Sequence, residues 1–510
     1  MPSGLKQLIL AATVGVPTND GNLRVVDAVR RPRLLIRELL AGLVVGLALI
    51  PEAISFSIVA GVPPAVGLFS SVVMAIVISI TGGRRAMISA ATGSIALVVA
   101  PVSREHGLDY LVATVMLAGL IQVVLGAIGF AKLMRFIPRS VMVGFVNALA
   151  ILIFIAQLPH LTNVTWVVYP LVALGILVIV FFPRVTKAVP APLIAVIVIT
   201  AITMLGGVNV PTVGDEGAIP AGLPSLFFPQ VPFTWHTLQV IGPIALAAAV
   251  VGLVESLMTA KLVDDITESG SNKTRESIGQ GIAQIASGFV GGMGGCGMIG
   301  QTMINVRESG ARTRLSTFSA GAFLLVLMVL FHELVNGIPM AALVAVMIMV
   351  CVGTFDWHSI RPATLKRMPA GETIVMVLTV AVVVATNNLS IGVVVGVIAA
   401  VIIFARRVAG FATVTRTLPS PGLAHYEVDG ELFFATSNDL THRFEYGSDP
   451  AHVTIDLSRS HVWDASTVAA LDTITTRYRR HGKAVTITGM NTASERFHGR
   501  LTGNLGGDES

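Results

Sequence analysis

Charge is what this 510-residue chain has least of. Asp, Glu, Lys and Arg make up 12% of it and hydrophobic residues 54%, with a mean hydropathy of +0.80, whereas soluble chains average about 25% charged residues. That excludes a soluble globular protein. Cysteine is nearly absent: Cys296 and Cys351 both fall inside apolar segments, which excludes an extracellular disulfide framework and reads as packing. Histidine is present eleven times, but six copies crowd the tail from His425 onward. None of the others lies deep in an apolar stretch or at metal-ligand spacing. No Walker loop or Ser–His–Asp order stands out, so a membrane enzyme is the weakest reading and no cofactor is expected. Residues 1–37 carry Lys6, Arg24, Arg30, Arg31, Arg33 and Arg37 without a short apolar core and a small-residue cleavage site, which argues against a signal peptide. A net charge of +5, dispersed beside apolar stretches, argues against nucleic acid as a partner.

What the chain does have is long apolar runs. Stretches near or above about 18 residues, enough to cross a bilayer, recur from Glu38 to Ala405. We expect spans at residues 38–60, 65–81, 109–131, 140–158, 166–183, 191–206, 238–263, 277–292, 315–333, 338–354, 372–387 and 389–405. Two shorter segments, 90–102 and 297–306, open with Ser89-Ala90-Ala91-Thr92-Gly93-Ser94 and Gly294-Gly295-Cys296-Gly297; these read as half helices. Counting both gives fourteen segments, and with the N-terminus cytoplasmic nearly all Lys and Arg then fall on the cytoplasmic side, Arg104 excepted. Residues 207–237, between the seventh and eighth segments, carry no Lys or Arg. Seven segments on either side predict two halves of inverted orientation. Glu52 and Glu255 lie 203 positions apart and Gly93 and Gly297 lie 204 apart, as such a repeat requires.

A carboxylate at the bilayer centre costs at least about 2.5–3.5 kcal/mol, so mid-span glutamates are the first candidates. Glu52 follows Pro51, which removes a backbone donor and invites a local break. Glu255 is followed one helical turn later by Thr259; together they offer oxygens to Na⁺, or the carboxyl alone carries a proton. The alternative is that both glutamates are hydrogen-bonded and merely hold helices together. The half-helix openings are the second constellation, because a helix beginning in mid-membrane aims unpaired N–H groups and its positive end at an anion. Thr92, Gly93 and Ser94 supply the first opening, and Ile299, Gly300, Gln301 and Thr302 the second; here the alternative is a pair of Gly-rich packing kinks.

Past Arg407 the composition changes. After a linker at 408–421, residues 422–501 alternate strand-like and helix-like runs, predicting a small cytoplasmic α/β domain, and residues 502–510 read as a disordered tail.

The stretch Asp264-Asp265-Ile266-Thr267, Asn272-Lys273, Arg275-Glu276-Ser277, Gly279-Gln280-Gly281-Ile282-Ala283 and the Gly-rich run to Asn305, with the proline-containing first span, resembles the sulfate permease (SulP) family of anion transporters. The tail resembles that family's STAS domain. The resemblance implies an all-α membrane domain at 38–407 of two inverted seven-segment repeats, embedded in the cell membrane as a homodimer with both termini cytoplasmic. It places the anion between the two half helices, with Glu52 and Phe56 facing it, and matches Glu255 and Thr259 to positions that bind Na⁺ in sodium-coupled members. Substrates in the family run from sulfate and bicarbonate to dicarboxylates and halides. This chain departs from many relatives in having Gln301 in place of arginine and Glu52 in place of glutamine. The departures remove a positive charge and add a negative one, favouring symport with H⁺ or Na⁺ over a channel or simple exchanger. In the tail, Asp464-Ala465-Ser466-Thr467 is similar to the loop bearing the phosphorylated serine of bacterial anti-sigma-factor antagonists; Asp464 or Ser466 as a plain helix N-cap is the competing reading. Three rivals remain: a nucleobase permease of the same fold, which would lack the tail, an anion sensor signalling through a cytoplasmic partner of the STAS domain, and an exchanger or channel.

Overall fold

The computed structural model describes residues 23–132, 137–162, 164–185, 190–217, 222–386, 388–409 and 412–503. Most of the expected disordered tail, and the first part of the N-terminal segment, lie outside these residues. The chain divides into two compact units, to Val397 and from Ile398.

The first unit is helical. In order it contains α1 Pro32–Ala60, α2 Pro64–Thr81, the short strand β1 Ser89–Ala90, α3 Gly93–Ala127, α4 Arg139–Gln157, α5 Val168–Phe181, α6 Ala191–Leu205, α7 Trp235–Thr267, α8 Lys273–Gly288, β2 Cys296–Gly297, α9 Ile299–Met303, α10 Arg314–Leu330, α11 Met340–Thr354, α12 Ala370–Thr386 and the start of α13 Leu389–Ala409, within which the division between the units falls. Among the described residues six helices are long and apolar enough to cross a membrane, and several shorter apolar helices accompany them. Small residues let these helices touch. A methyl group at Gly42 of α1 would fall 2.7 Å from the Ser316 carbonyl oxygen of α10, and Gly119 of α3 and Gly281 of α8 each face the other's carbonyl at 2.7 and 2.5 Å.

Several expectations are corrected in detail. The first helix starts at Pro32, six residues before the expected span, because proline is well suited to the first helical turn. No break occurs at Pro51: α1 continues through it to Gly61, whose left-handed φ of 75° ends the helix. Segments 90–102 and 109–131 run together as α3, divided by a sharp kink at Gly107 (φ 82°, ψ −172°). Segment 297–306 holds only five α-helical residues before a π-helical turn over Ile304–Glu308.

The second unit carries a four-stranded sheet in the order β3 Thr413–Ser420, β4 Leu423–Leu432, β5 His452–Val462, β6 Ala484–Thr488, antiparallel between β3 and β4 and parallel elsewhere. Helices α14 Phe434–Leu440, α15 Ala465–Arg480 and α16 Thr492–Leu501 complete it. The stretch read as a linker therefore contains β3, whose hydrogen-bonding partner on β4 is ten or so residues away and invisible to composition. Val453, Ile455 and Leu457 point inward at period two and pack with Leu471, Ile474 and Tyr478 of α15.

Asp449 is the polar anchor of this core. Its buried carboxylate accepts from Arg416 Nε at 2.8 Å, Tyr426 Oη at 2.7 Å and Tyr478 Oη. Burial, first, pushes both tyrosines up from their ordinary value, so both stay protonated donors at neutral pH. Asp449→Asn is expected to cost the domain about 3 kcal/mol, because it removes the buried charge that Arg416 and both tyrosines donate to and leaves Arg416 only the more exposed Glu445. Hydrogen exchange of the α15 amides in the full-length protein should accelerate about a hundredfold; unchanged exchange would show the network to be dispensable.

Candidate functional site

Two short extended leads meet in the middle of the first unit. β1 and β2 pair antiparallel, Ser89 opposite Gly297 and Ala90 opposite Cys296, and each runs directly into a helix, α3 at Gly93 and α9 at Ile299. Strands two residues long cannot hold themselves; their surroundings do it. Gln284 of α8 grips Gly295, donating to its carbonyl at 2.8 Å and accepting from its N–H at 3.0 Å. Gln280 donates to Ser89 Oγ at 2.6 Å, Ser71 of α2 accepts from the Ala91 N–H at 3.1 Å, and Ser256 of α7 accepts from the Gly297 N–H at 2.9 Å. Thr302 closes the pair from the α9 side, accepting from the Ile88 N–H at 3.0 Å.

The conspicuous motif between α7 and α8 serves this assembly. Asp264 receives Arg84 Nη1 at 3.0 Å and Lys273 Nζ at 2.7 Å, while Thr267 receives the other guanidinium nitrogen of Arg84. Asn272 caps α8, and buried Glu276 accepts the N–H groups of Gly83 and Arg84 at 2.7 and 2.8 Å. The motif thus clamps the turn that leads from α2 into β1. Its many charged and amide residues hold backbone that has no other partners, as buried main-chain groups require.

At the openings, the expected residues separate into two clusters. In the first, Ser94 Oγ donates a short hydrogen bond to Glu255 Oε2, and Cys296 Sγ donates to the same oxygen at 3.1 Å. Thr92 Oγ1 lies 3.1 Å from both Ser94 Oγ and Cys296 Sγ. All four side chains are buried. In the second, Gln301 Nε2 donates to Glu52 Oε1 at 2.7 Å, while Gln301 Oε1 is buried without a partner. Glu52 is half-buried and Gly300 exposed, with nothing within 4 Å of a Cβ built on Gly300. The second cluster therefore borders open space. Phe56 stands against the α3 opening, 2.8 Å from where a Gly93 methyl would be; only glycine admits the ring there.

Three expectations need revision. Thr259 does not join Glu255 at its carboxylate: its hydroxyl turns back to the carbonyls of Glu255 and Gly297, both at 2.9 Å, a main-chain bond that threonine in a helix readily makes. The openings are unequal: α3 runs unbroken from Gly93 to its kink at Gly107, whereas α9 has five α-helical residues and then a π-helical turn. Cys296, read as packing, is a ligand of the buried glutamate. Its place in the Gly-rich turn just before a half helix was the one signal that set it apart from Cys351. In the tail Asp464, not Ser466, caps α15 by accepting from the Thr467 N–H at 3.0 Å, and Ser466 is exposed. Among the described residues no group of three or more His, Cys, Asp or Glu is placed to hold a metal.

The sulfate permease family model matches residues 35–169 and 162–379, most of the helical unit. The chain belongs to the sulfate permease family. The STAS domain model matches residues 416–501, taking in most of β3 along with the rest of the second unit. Among relatives, the Bacillus subtilis (strain 168) protein named "Putative sulfate transporter YbaR" is 51% identical over 459 residues, covering 90% of this chain and 95% of that protein. The bicarbonate transporter BicA of Synechocystis is 30% identical over 328 residues, 58% of this chain and 57% of its own length. The solved transmembrane domain of a cyanobacterial BicA superposes with a TM-score of 0.62 at 27% identity, covering 73% of this chain and 98% of that one. Murine Slc26a9, an anion transporter solved in its inward-facing state, shares the fold at a TM-score of 0.79 and 17% identity, over 98% of this chain and 91% of that one. This permease is accordingly a multi-pass membrane protein with an appended α/β STAS domain.

Proposed function

We propose that this permease is a secondary transporter that carries a small anion of the sulfate, bicarbonate or dicarboxylate class across the cell membrane by alternating access, in symport with H⁺ or Na⁺. The observation that carries the reading is the Glu52–Gln301 contact beside the open side of Gly300. A carboxylate there repels an anion unless a cation neutralises it, since desolvation strengthens every charge interaction. The second carboxylate, Glu255, sits under the N-terminus of α3, whose N–H groups and dipole favour negative charge. Glu52, Phe56, Thr92, Gly93, Ser94, Ile299, Gly300, Gln301 and Thr302 would surround the anion, with Glu52 and Glu255 answering to the coupling ion.

The proposed mechanism includes two inverted repeats of seven segments, which would let one set of helices rock against another about a central site. The antiparallel pairing of β1 with β2, each leading into a helix, is what such a symmetry would produce at its axis. Cytoplasmic termini follow from the Lys and Arg distribution, and with them a cytoplasmic STAS domain. A homodimer is the family's further implication for this chain, and the likeness of its tail loop to that of bacterial anti-sigma-factor antagonists adds phosphorylation at exposed Ser466 and a cytoplasmic partner for the STAS domain.

The reading is tested by counterflow. Purified protein in liposomes preloaded with unlabelled sulfate, bicarbonate or fumarate should take up the matching label transiently above equilibrium, while empty liposomes should not. No counterflow with any of the three, from protein that binds one of them, would point to a sensor instead.

A further inference from the structure

We infer that the coupling ion is a proton and that Cys296 is the residue that keeps Na⁺ out; this rests on the symport reading above. A sodium ion is a hard cation that needs a shell of oxygen ligands. Three side-chain oxygens meet beside Glu255: its own Oε2, Thr92 Oγ1 and Ser94 Oγ. The place within reach of all three is taken by Cys296 Sγ, at 3.1 Å from Glu255, 3.1 Å from Thr92 and 3.6 Å from Ser94. A neutral thiol is a soft group with little affinity for Na⁺. It is fully buried, and its neighbour Gly297 is pinned by Ser256 and Thr259, which fixes the backbone that carries the sulfur. The hydroxyl of Thr259, the other expected ligand, lies at the main-chain carbonyls of Glu255 and Gly297 and has no bond to the Glu255 carboxylate. The residues here do not fit Na⁺.

A second observation, at the other glutamate, points the same way. Gln301 spends its NH₂ on Glu52 and leaves Oε1 buried and unpartnered, a costly state for an amide oxygen. A proton on Glu52 gives that oxygen a donor: with the amide turned over, Oε1 accepts the carboxyl O–H. The proton is held on a Glu52 oxygen and leaves by the same bond when the anion departs. Protonation thus removes the charge that repels the anion. Gln301 faces Glu52, and Ser94 and Cys296 face Glu255; among the described residues no ion pair reaches either carboxylate, so neither has a resident counter-charge to do the proton's work.

The test uses the full chain in liposomes, with labelled sulfate and labelled fumarate, under an inward proton gradient at equal Na⁺, an inward Na⁺ gradient at equal pH, or neither. We expect several-fold accumulation of one label with the proton gradient alone, abolished by a protonophore, and no response to Na⁺. Accumulation driven by Na⁺ at equal pH would overturn the inference, as would flux that ignores both gradients. In parallel, replacing choline by Na⁺ should leave the thermal midpoint of the detergent-solubilised wild type unchanged and raise that of Cys296→Ser, which puts an oxygen where the sulfur is. A Cys296→Ser protein with no Na⁺ response would remove Cys296 from its assigned role. Counterflow without gradients is the internal control: its absence would sink the transporter reading itself, whereas counterflow with Na⁺-driven accumulation would sink only this inference.

Discussion

Gly295→Ala is expected to abolish anion transport. A methyl group at this position would lie 1.9 Å from the carbonyl oxygen of Ala90 and 2.5 Å from its carbon. Both are backbone atoms of β1, so no side chain can rotate away. Inserting a methylene into a packed core with flexible neighbours already costs about 1–3 kcal/mol, and here the neighbour is the strand that must stay paired. Relief requires β1 and β2 to separate, which breaks the register of Ala90 against Cys296 and draws the thiol and the α3 opening away from Glu255. Gly353→Ala on α11, where a Cβ also meets nothing within 4 Å, is the matched control and should fold and transport normally. Counterflow in liposomes, normalised to correctly folded protein by size-exclusion chromatography, measures the difference. Wild-type counterflow by Gly295→Ala would mean that the two openings are not held by this junction.

Glu52→Gln is expected to uncouple the transporter while leaving it able to exchange. An amide keeps the size of the side chain and its contact with Gln301, so the fold survives, but it carries neither a charge nor a transferable proton. A unit charge about 4 Å from a bound anion, at an effective dielectric near 20, contributes about 4 kcal/mol, close to a thousandfold in affinity. The variant should therefore bind anion at alkaline pH up to about a thousandfold more tightly than the wild type, whose Glu52 is ionised there. Gradient-driven accumulation should fall to the equilibrium level while counterflow persists. Glu255→Gln should likewise lose accumulation, without the gain in affinity, because Glu255 is buried behind Ser94 and Cys296 and does not border the open space. If both variants accumulate anion as the wild type does, neither carboxylate takes part in coupling and both are structural.

These two expectations differ in how far they could be read before folding. Glu52 and Glu255 stand out in the linear chain because a charge amid long apolar runs is anomalous wherever the helices end up. The half-helix openings stand out for a similar reason, since small polar and glycine residues interrupt two apolar segments at a matching spacing. Gly295 has no such signature. It is one of several glycines between Gly291 and Gly300, and only its 1.9 Å approach to Ala90, some 205 positions away in the chain, distinguishes it. Cys296 is the same case. Composition assigned it to packing, because a lone buried thiol is usually that, and its bond to Glu255 exists only because β2 runs beside α7. Pro51 failed in the opposite direction: its local preference for a break was overridden by the close packing of α1 on α10.

Hydropathy and charge alone make this chain a membrane protein, with its apolar spans, its few charges kept mostly outside them, two interrupted segments and a separate tail domain. Those properties are additive along the chain, and water and lipid impose them on each segment independently. Which donor faces which carboxylate could not be had that way. The partners of Glu52 and Glu255 lie 249, 161 and 41 positions away, and a hydrogen bond depends on the last ångström of their approach. That approach is set by the pairing of two two-residue strands inside a frame of packed glycines and buried amides, a result of helix crossings that no local pattern encodes.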